Sequence, residues 1–177
     1  QMPPKTSVYP GREGAGAFIN AMPALMTKSG AAGIKWVGMM PDNFKRDLPS
    51  ISALLVLNDP ETVLPAAVMD ATWITAVRTA AASVVAAKFL ARPESETLGV
   101  IGCGVQGSGH VEAFREVFPL RRIKAFDVRP ETASSFARKA GERFGLEAEI
   151  ASTAAEAVAG CDLVVTAGTT QRAGHLA

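Results

Sequence analysis

One glycine-rich segment, Gly102-Cys103-Gly104-Val105-Gln106-Gly107, constrains the fold of this chain of 177 residues more than any other feature. It follows an apolar run from Thr97 to Ile101 that is typical of a short buried strand, and it opens a segment from Gly107 to Val117 whose apolar spacing predicts a helix. The pattern GxGxxG between a strand and a helix is typical of a phosphate-binding turn. The first glycine would allow the tight turn, the second the close approach of a pyrophosphate, and the third the close packing of helix on strand.

The residues after this turn continue the alternation of strands and helices. The predicted elements are a strand from Ile123 to Val128, a helix from Pro130 to Phe144, a strand from Glu147 to Ile150, a short helix opened by a Thr153 and Glu156 capping box, and a strand from Asp162 to Thr166. Such alternation predicts parallel strands joined by right-handed crossovers. We therefore predict a Rossmann-type domain over residues 93–177.

The first half of the chain has a different pattern, with short apolar runs separated by turn residues. The clearest predicted strands run from Gly33 to Met40 and from Ile51 to Leu57. A helix is predicted over about residues 70–91, with Asp70 as N-cap and an apolar stripe formed by Ile74, Val77, Ala81, Val84 and Val85. The fold class is thus predicted to be α/β, with a smaller α+β domain over residues 1–92 before the Rossmann domain.

Composition narrows the class of partner. The 18 basic and 17 acidic side chains leave a formal charge of +1, which would not attract nucleic acid or an anionic membrane. No uninterrupted apolar run reaches the roughly 18 residues of a membrane helix, and no signal-peptide layout opens the chain. The two cysteines have no metal-ligand spacing. We expect a cytoplasmic protein with a small-molecule partner and no metal, and we expect a fragment whose Rossmann domain is incomplete, since the chain opens at Gln1 and closes soon after the last strand.

Two features predict which dinucleotide binds. Asp127 ends the second Rossmann strand about 20 residues after the glycine-rich turn, where an acid holds a ribose 2′-hydroxyl and repels a 2′-phosphate, so NAD is favoured over NADP. Arg129 is the competing feature, because its guanidinium could accept that phosphate or stack near the adenine. Thr166 and Thr169 leave the last strand at the edge where ligands lie in open α/β sheets, although ordinary loop polarity would give the same pattern.

Three cations are candidates for binding a substrate carboxylate. Strand alternation puts Lys35 on the same face as Val37, where it either binds a ligand or reaches water from an edge strand. Arg78 is predicted at the margin of the helical apolar stripe, where it either binds a carboxylate or forms a salt bridge. Lys5 is by pattern a solvated lysine. His110 is predicted on the surface of the helix after the glycine-rich turn.

Several runs together resemble the ornithine cyclodeaminase/mu-crystallin family over nearly all of the chain. The residues that carry the resemblance are Pro3-Pro4-Lys5-Thr6, Met22-Pro23, Gly33 to Val37, Val68-Met69-Asp70, Ile74 to Ser83 and Ile101 to Gln106. The resemblance implies a homodimer formed through the N-terminal strands, a nicotinamide cofactor on the Rossmann domain, and an amino-acid substrate. Family activities include ornithine cyclodeamination, amino-acid dehydrogenation and ketimine reduction.

The resemblance also implies roles for single residues. Lys35 matches a substrate-binding and catalytically important lysine, Arg78 matches a carboxylate-binding arginine, and Lys5 stands where several members have a substrate-binding arginine. Thr79, Val105 and Gln106 fall in segments that bind the cofactor. Asn20 stands where ornithine cyclodeaminases carry a glutamate, which weakens that interpretation, and the family's catalytic aspartate belongs to a later segment.

These observations predict an oxidoreductase that moves hydride between NAD and the CH–NH group of a small amino or imino acid. The first alternative is an ornithine cyclodeaminase, which would use NAD catalytically and release ammonia. The second is a dinucleotide-binding or small-ligand-binding protein without turnover.

Overall fold

The computed structural model describes residues 1–10 and 16–168. The chain divides into two compact units, Gln1–Thr75 and Ala76–Ala177. The division falls inside the helix α1 (Thr72–Leu90), earlier than the boundary expected near Arg92. The physical reason is that Val84 and Ala87, in the second half of α1, pack into the core of the second unit. The linking helix therefore belongs in part to each unit.

Among the described residues of the first unit, five strands form an antiparallel sheet in which every strand pairs with its neighbour in sequence. The strands are β1 (Thr6–Val8), β2 (Phe18–Met26), β3 (Ala31–Met39), β4 (Ile51–Asn58) and β5 (Pro65–Asp70). A short 3₁₀ helix, Pro41–Arg46, joins β3 to β4. The strands predicted from Gly33 and from Ile51 are confirmed as β3 and β4.

The register of this sheet decides which side chains share a face. Val37 on β3 lies opposite Ala53 on β4, and both are buried with Ala71 in a small core. Trp36 and Leu54, which are also paired across these strands, point to the other face and are 49% and 50% exposed. Within the part of the chain that the structure describes, this sheet therefore has one covered face and one face on which apolar side chains are exposed.

Within residues 76–168, four parallel strands form the second sheet, in the order β8-β7-β6-β9. The strands are β6 (Thr97–Ile101), β7 (Arg122–Phe126), β8 (Glu147–Ile150) and β9 (Leu163–Thr166), and the helices between them are α2 (Val105–Arg115), α3 (Pro130–Phe144) and α4 (Ala154–Val158). In sequence order this is 3-2-1-4, the order of the first four strands of a Rossmann fold. The predicted α/β class and parallel sheet are confirmed, and Glu156 N–H donates to Thr153 Oγ1 in the predicted capping box.

The predicted apolar stripe on α1 is wrong except for Val84. Thr75, Ala80 and Val84 are buried, whereas Val77 and Val85 are exposed; Ile74 and Ala81 are exposed as well. The reason lies in close helix packing, because a Cβ added at Gly109 of α2 would lie 3.9 Å from both Ala76 O and Ala80 Cβ. Short side chains on α1 allow this approach, so the larger apolar residues lie on its other faces.

Among the described residues, α1 is the helix that by length and composition could cross a membrane. Core helices of soluble proteins share this length and composition. Arg78 and Lys88 interrupt its apolar sequence.

Candidate functional site

The glycine-rich turn begins where β6 ends, and its first glycine is required by the backbone. Gly102 has φ +95°, and its N–H donates to Phe126 O on β7 at 2.8 Å. A Cβ at this position would lie 2.5 Å from Gly168 N, so a side chain would collide with the segment after β9. Glycine alone combines this positive φ with the space available.

The other two glycines of the turn differ in the way the sequence predicted. A Cβ at Gly107 would lie 2.2 Å from Gly102 O, which confirms that helix and turn pack too closely for a side chain. At Gly104 an added Cβ would meet nothing within 4 Å. There is therefore no room for a side chain at Gly107, whereas the space beside Gly104 is unfilled. Free space at the second glycine fits the approach of a pyrophosphate to the backbone.

Helix α2 starts at Val105, two residues before the predicted start, and Gly104 is its N-cap without a side-chain hydrogen bond. The first N–H groups of an α-helix have no partner in the helix itself, and the helix dipole makes this end attractive to anions. The turn and the helix start together can accept phosphate groups. Val105 and Gln106 are the first two residues of this helix.

Asp127 follows β7 and is directed into the turn. Its Oδ2 accepts from Cys103 N–H at 2.9 Å, and its Oδ1 accepts from Arg129 N–H at 3.0 Å. The Asp127 side chain is 10% exposed, and Arg129 Nε lies 3.9 Å from Oδ1. The structure thus brings the acid, its neighbouring arginine and the glycine-rich turn together at the carboxyl edge of the sheet.

Cys103 lies inside this turn, but its thiol is suited to packing. Burial raises the pKa of the Cys103 thiol to about 12, and the nearby Asp127 carboxylate adds to this effect. A thiol with this pKa stays protonated near neutral pH and is a poor nucleophile. Its Sγ lies 3.5 Å from Phe126 O. The Cys103 side chain is 5% exposed and is part of the core of the second unit.

The end of β9 reaches the same edge. Thr166 pairs with Ile101, and Ala167 N–H donates to Ile101 O at 2.7 Å, next to the start of the glycine-rich turn. Thr166 is exposed there. Thr169 lies outside the described residues.

Lys35 lies on the covered face of the first sheet, beside Met22 and Leu55 on the paired strands. Its Nζ donates to Thr75 Oγ1 at 3.3 Å. Because β3 is the central strand of five, the alternative of an edge-strand lysine is wrong. Thr75 is buried, and the sequence analysis missed it as a partner.

Asn20 shares this covered face. It pairs with Val37 across β2 and β3, it is 6% exposed, and its Oδ1 accepts from Ser7 Oγ at 2.7 Å. A buried amide with a partner keeps a fixed orientation, so the face carries ordered polar groups beside Lys35 as well as an apolar core.

The other predicted ligands are more exposed. Lys5 precedes β1 and is exposed, as its pattern suggested. Arg78 is exposed on α1, so its predicted place at the margin of a buried stripe is wrong, for the reason that the stripe itself lies elsewhere. Thr79 is half-buried, and its carbonyl accepts from Ser83 Oγ at 3.3 Å.

His110 is 6% exposed, so the prediction of a surface histidine is wrong. Its Nδ1 lies 2.7 Å from Gln106 O, and its Nε2 lies 3.0 Å from Ser83 Oγ. A carbonyl can only accept, so Nδ1 donates its N–H to Gln106 O, and Nε2 shares a hydrogen bond with the Ser83 hydroxyl. The ring thereby joins α1 to the first turn of α2. No local pattern could have found this pairing, because Ser83 is distant in sequence.

A comparison with family-wide sequence patterns matches residues 1–177 to the ornithine cyclodeaminase/mu-crystallin family. The chain belongs to this family. It is 44% identical to an alanine dehydrogenase of Archaeoglobus fulgidus over 94% of the chain and 49% of that protein. The resemblance noted from the sequence is thereby confirmed.

Solved structures of the family share the fold. A Thermococcus litoralis Δ1-pyrroline-2-carboxylate reductase in complex with NADH and L-proline has a TM-score of 0.88 and 37% identity, covering 94% of this chain and 51% of that one. An archaeal alanine dehydrogenase dimer with bound NAD has a TM-score of 0.83 and 44% identity, covering 94% of this chain and 49% of that one. The chain spans about half the length of these relatives.

Proposed function

We propose that this chain forms the cofactor-binding and substrate-binding part of an NAD-dependent oxidoreductase that acts on the CH–NH group of a small amino or imino acid. The observation that carries the proposal is the open glycine-rich turn with the Asp127 carboxylate bound to Cys103 N–H. Membership of the family and the NADH and NAD in the two related structures support it. The activity is that of the whole enzyme, because the chain spans about half of its relatives.

The choice of NAD over NADP rests on charge. A carboxylate at the end of β7 accepts from ribose hydroxyls and repels a phosphate in their place. Arg129 lies beside this carboxylate, since its backbone N–H donates to Asp127 Oδ1 and its Nε lies 3.9 Å from the same oxygen, so the two charges partly compensate each other. Bound NAD would accept or supply the hydride, and Gly102, Gly104, Val105, Gln106 and Gly107 would hold its pyrophosphate.

The substrate roles are proposed residue by residue. Lys35, fixed through Thr75, would bind the substrate carboxylate or assist proton transfer at the substrate nitrogen. Arg78 would bind a carboxylate with its planar fork, and Lys5 would add a second positive charge. Thr79, Thr166 and Thr169 would contact the cofactor.

Calorimetric titration with NAD and NADP tests the cofactor, and NAD is expected to bind more tightly. A panel of amino acids, read for NADH absorbance and for released ammonia, then tests the reaction in the full-length enzyme. NADH formation would support the dehydrogenase. Ammonia from ornithine without net NADH would indicate the cyclodeaminase that the family name includes, and binding with neither signal would indicate a ligand-binding protein.

Lys35→Met tests the substrate role, with Lys28→Met as a matched control on an exposed turn. The Lys35 change is expected to lower turnover by about 100-fold or more, since it removes a group proposed to act in proton transfer, while NAD affinity is unchanged. Equal activity of the two variants would contradict the assignment.

A homodimer and a cytoplasmic location complete the proposal. The face of the first sheet that carries Trp36 and Leu54 is apolar and open, and Val68 on β5 extends it with 65% exposure. Exposed apolar surface of this kind marks a protein interface. The related archaeal alanine dehydrogenase is described as a dimer, which favours a second copy as the partner.

A further inference from the structure

We propose that Asp127 is a positioning residue for the glycine-rich turn, in addition to its proposed contact with the ribose. Its carboxylate holds the turn in the phosphate-accepting conformation before any cofactor arrives. This inference rests on the proposed dinucleotide function, and it assigns to one residue both the choice of cofactor and the preorganisation of the site.

The turn is fixed to β7 at two successive residues. Gly102 N–H donates to Phe126 O at 2.8 Å, and Cys103 N–H donates to Asp127 Oδ2 at 2.9 Å. The first bond joins two backbone groups and does not depend on the Asp127 side chain. The second depends on the Asp127 side chain. Because Gly102 has φ +95°, the turn follows an unusual backbone path that local preferences do not enforce.

The hydrogen bond between Cys103 N–H and the Asp127 carboxylate is stronger than one between two neutral groups. A carboxylate accepting from a backbone N–H makes a charge-assisted hydrogen bond, and the Asp127 side chain is 10% exposed, so water replaces it poorly. Its loss would leave the Cys103 N–H without its partner beside the buried Cys103 side chain. The turn would then relax, and the backbone N–H groups that face the phosphates would lose their common direction.

The two roles are compatible on one carboxylate. Ionised aspartate offers about four acceptor positions on its two oxygens. Cys103 N–H and Arg129 N–H use one position on each oxygen. About two positions remain for ribose hydroxyl groups, so NAD need not displace the bonds that hold the turn.

An NAD analogue whose adenosine sugar lacks both the 2′- and the 3′-hydroxyl separates the roles. If Asp127 acted through the ribose alone, Asp127→Ala would leave affinity for this analogue equal or higher, since a negative charge near the phosphates is removed. If Asp127 positions the turn, the same change weakens the analogue by about 10- to 100-fold, the value of a hydrogen bond to a charged group. Asp127→Asn keeps one acceptor and is expected to fall between.

Asp162 supplies a matched control in the same unit. Its Oδ2 accepts from Glu96 N–H at 3.0 Å and from Thr97 N–H at 3.1 Å, where β6 begins, at the end of this strand remote from the turn. Asp162→Ala therefore removes the same kind of bond, together with an ion pair to Arg92, without touching the turn. Its affinity for NAD and for the analogue is expected to match the wild type.

Amide hydrogen exchange without cofactor gives a second readout. Asp127→Ala is expected to speed exchange of the Cys103 amide, and Asp162→Ala that of the Glu96 and Thr97 amides. Unchanged Cys103 exchange, or unchanged analogue affinity, in Asp127→Ala would overturn the positioning role. If wild-type protein bound no NAD, the proposed function would fail, and the exchange result would still decide whether Asp127 holds the turn.

Discussion

The two sheets of this protein differ in how far their apolar side chains are buried. The parallel sheet of the second unit carries the larger core, in which Leu98, Val100 and Ile123 on its two central strands are fully buried. The antiparallel sheet of the first unit has a small core around Val37 and Ala53 and an open apolar face that carries Trp36 and Leu54. A parallel sheet needs cover on both faces, whereas an antiparallel sheet can leave one face for another molecule. Among the described residues, the larger core therefore lies in the second unit, whereas the first unit has a small core and an exposed apolar sheet face.

The sharpest test of this difference pairs two leucines. Leu98→Ala opens a cavity in the core of the second unit and is expected to lower the free energy of unfolding by about 2–5 kcal/mol. Leu54→Ala removes the same atoms from the open face and is expected to cost about 0.5 kcal/mol or less at protein concentrations where the chain is monomeric. Urea unfolding at several protein concentrations measures both. Equal losses at low concentration would contradict the comparison.

Trp36→Glu tests whether the open face is an interface. A large aromatic residue at an interface centre contributes about 2 kcal/mol or more to association, so Trp36→Glu is expected to dissociate the proposed dimer at concentrations where the wild type associates. Sedimentation velocity measures the change. Lys28→Glu on an exposed turn is the control for added negative charge. An unchanged dimer dissociation constant in Trp36→Glu would show that this face is not the interface.

Gly107→Ala tests the close packing of helix α2 against the glycine-rich turn in the second unit. Its Cβ would lie 2.2 Å from Gly102 O, so helix and turn must separate, and NAD affinity is expected to fall by about tenfold or more. Gly141→Ala on α3 is the matched control, because its Cβ would meet Leu146 O at an ordinary 3.6 Å. Calorimetry compares the two. Equal NAD affinity would mean that this close approach does not shape the site.

The smallest expected effect compares one exposed aspartate from each unit. Bonds from Thr62 and Glu61 hold the pKa of Asp59 below its ordinary value of 3.8, and N–H bonds from Glu96 and Thr97 do the same for Asp162. A lowered pKa in the folded state adds stability above pH 3.8, and this stability is lost as pH falls through the folded value.

Asp59→Asn and Asp162→Asn are therefore each expected to lower the melting temperature slightly at pH 7 and less at pH 3. Thermal unfolding at both pH values measures this. A larger decrease in melting temperature at pH 3 than at pH 7 would contradict the prediction that these carboxylates stabilise the fold in their ionised form.

The sequence by itself determined the second unit well. Its signals are local: a strand followed by GxGxxG and a helix, an acid after the next strand, and a capping box at Thr153 and Glu156. The strands β3 and β4 were predicted for the same reason, since alternation and turn residues act within a few positions. The placing of Lys35 beside Val37 also follows from the period of a strand.

Only the tertiary structure decided which residues meet over long distances in sequence. Lys35 with Thr75, His110 with Ser83, and Asp127 with Cys103 are such pairs. It also decided which side of α1 is buried, because that helix is rich in alanine and valine on every side and its sequence period is therefore weak. Whether a side chain is buried depends on which other element packs against it. The sequence of one segment does not specify that element.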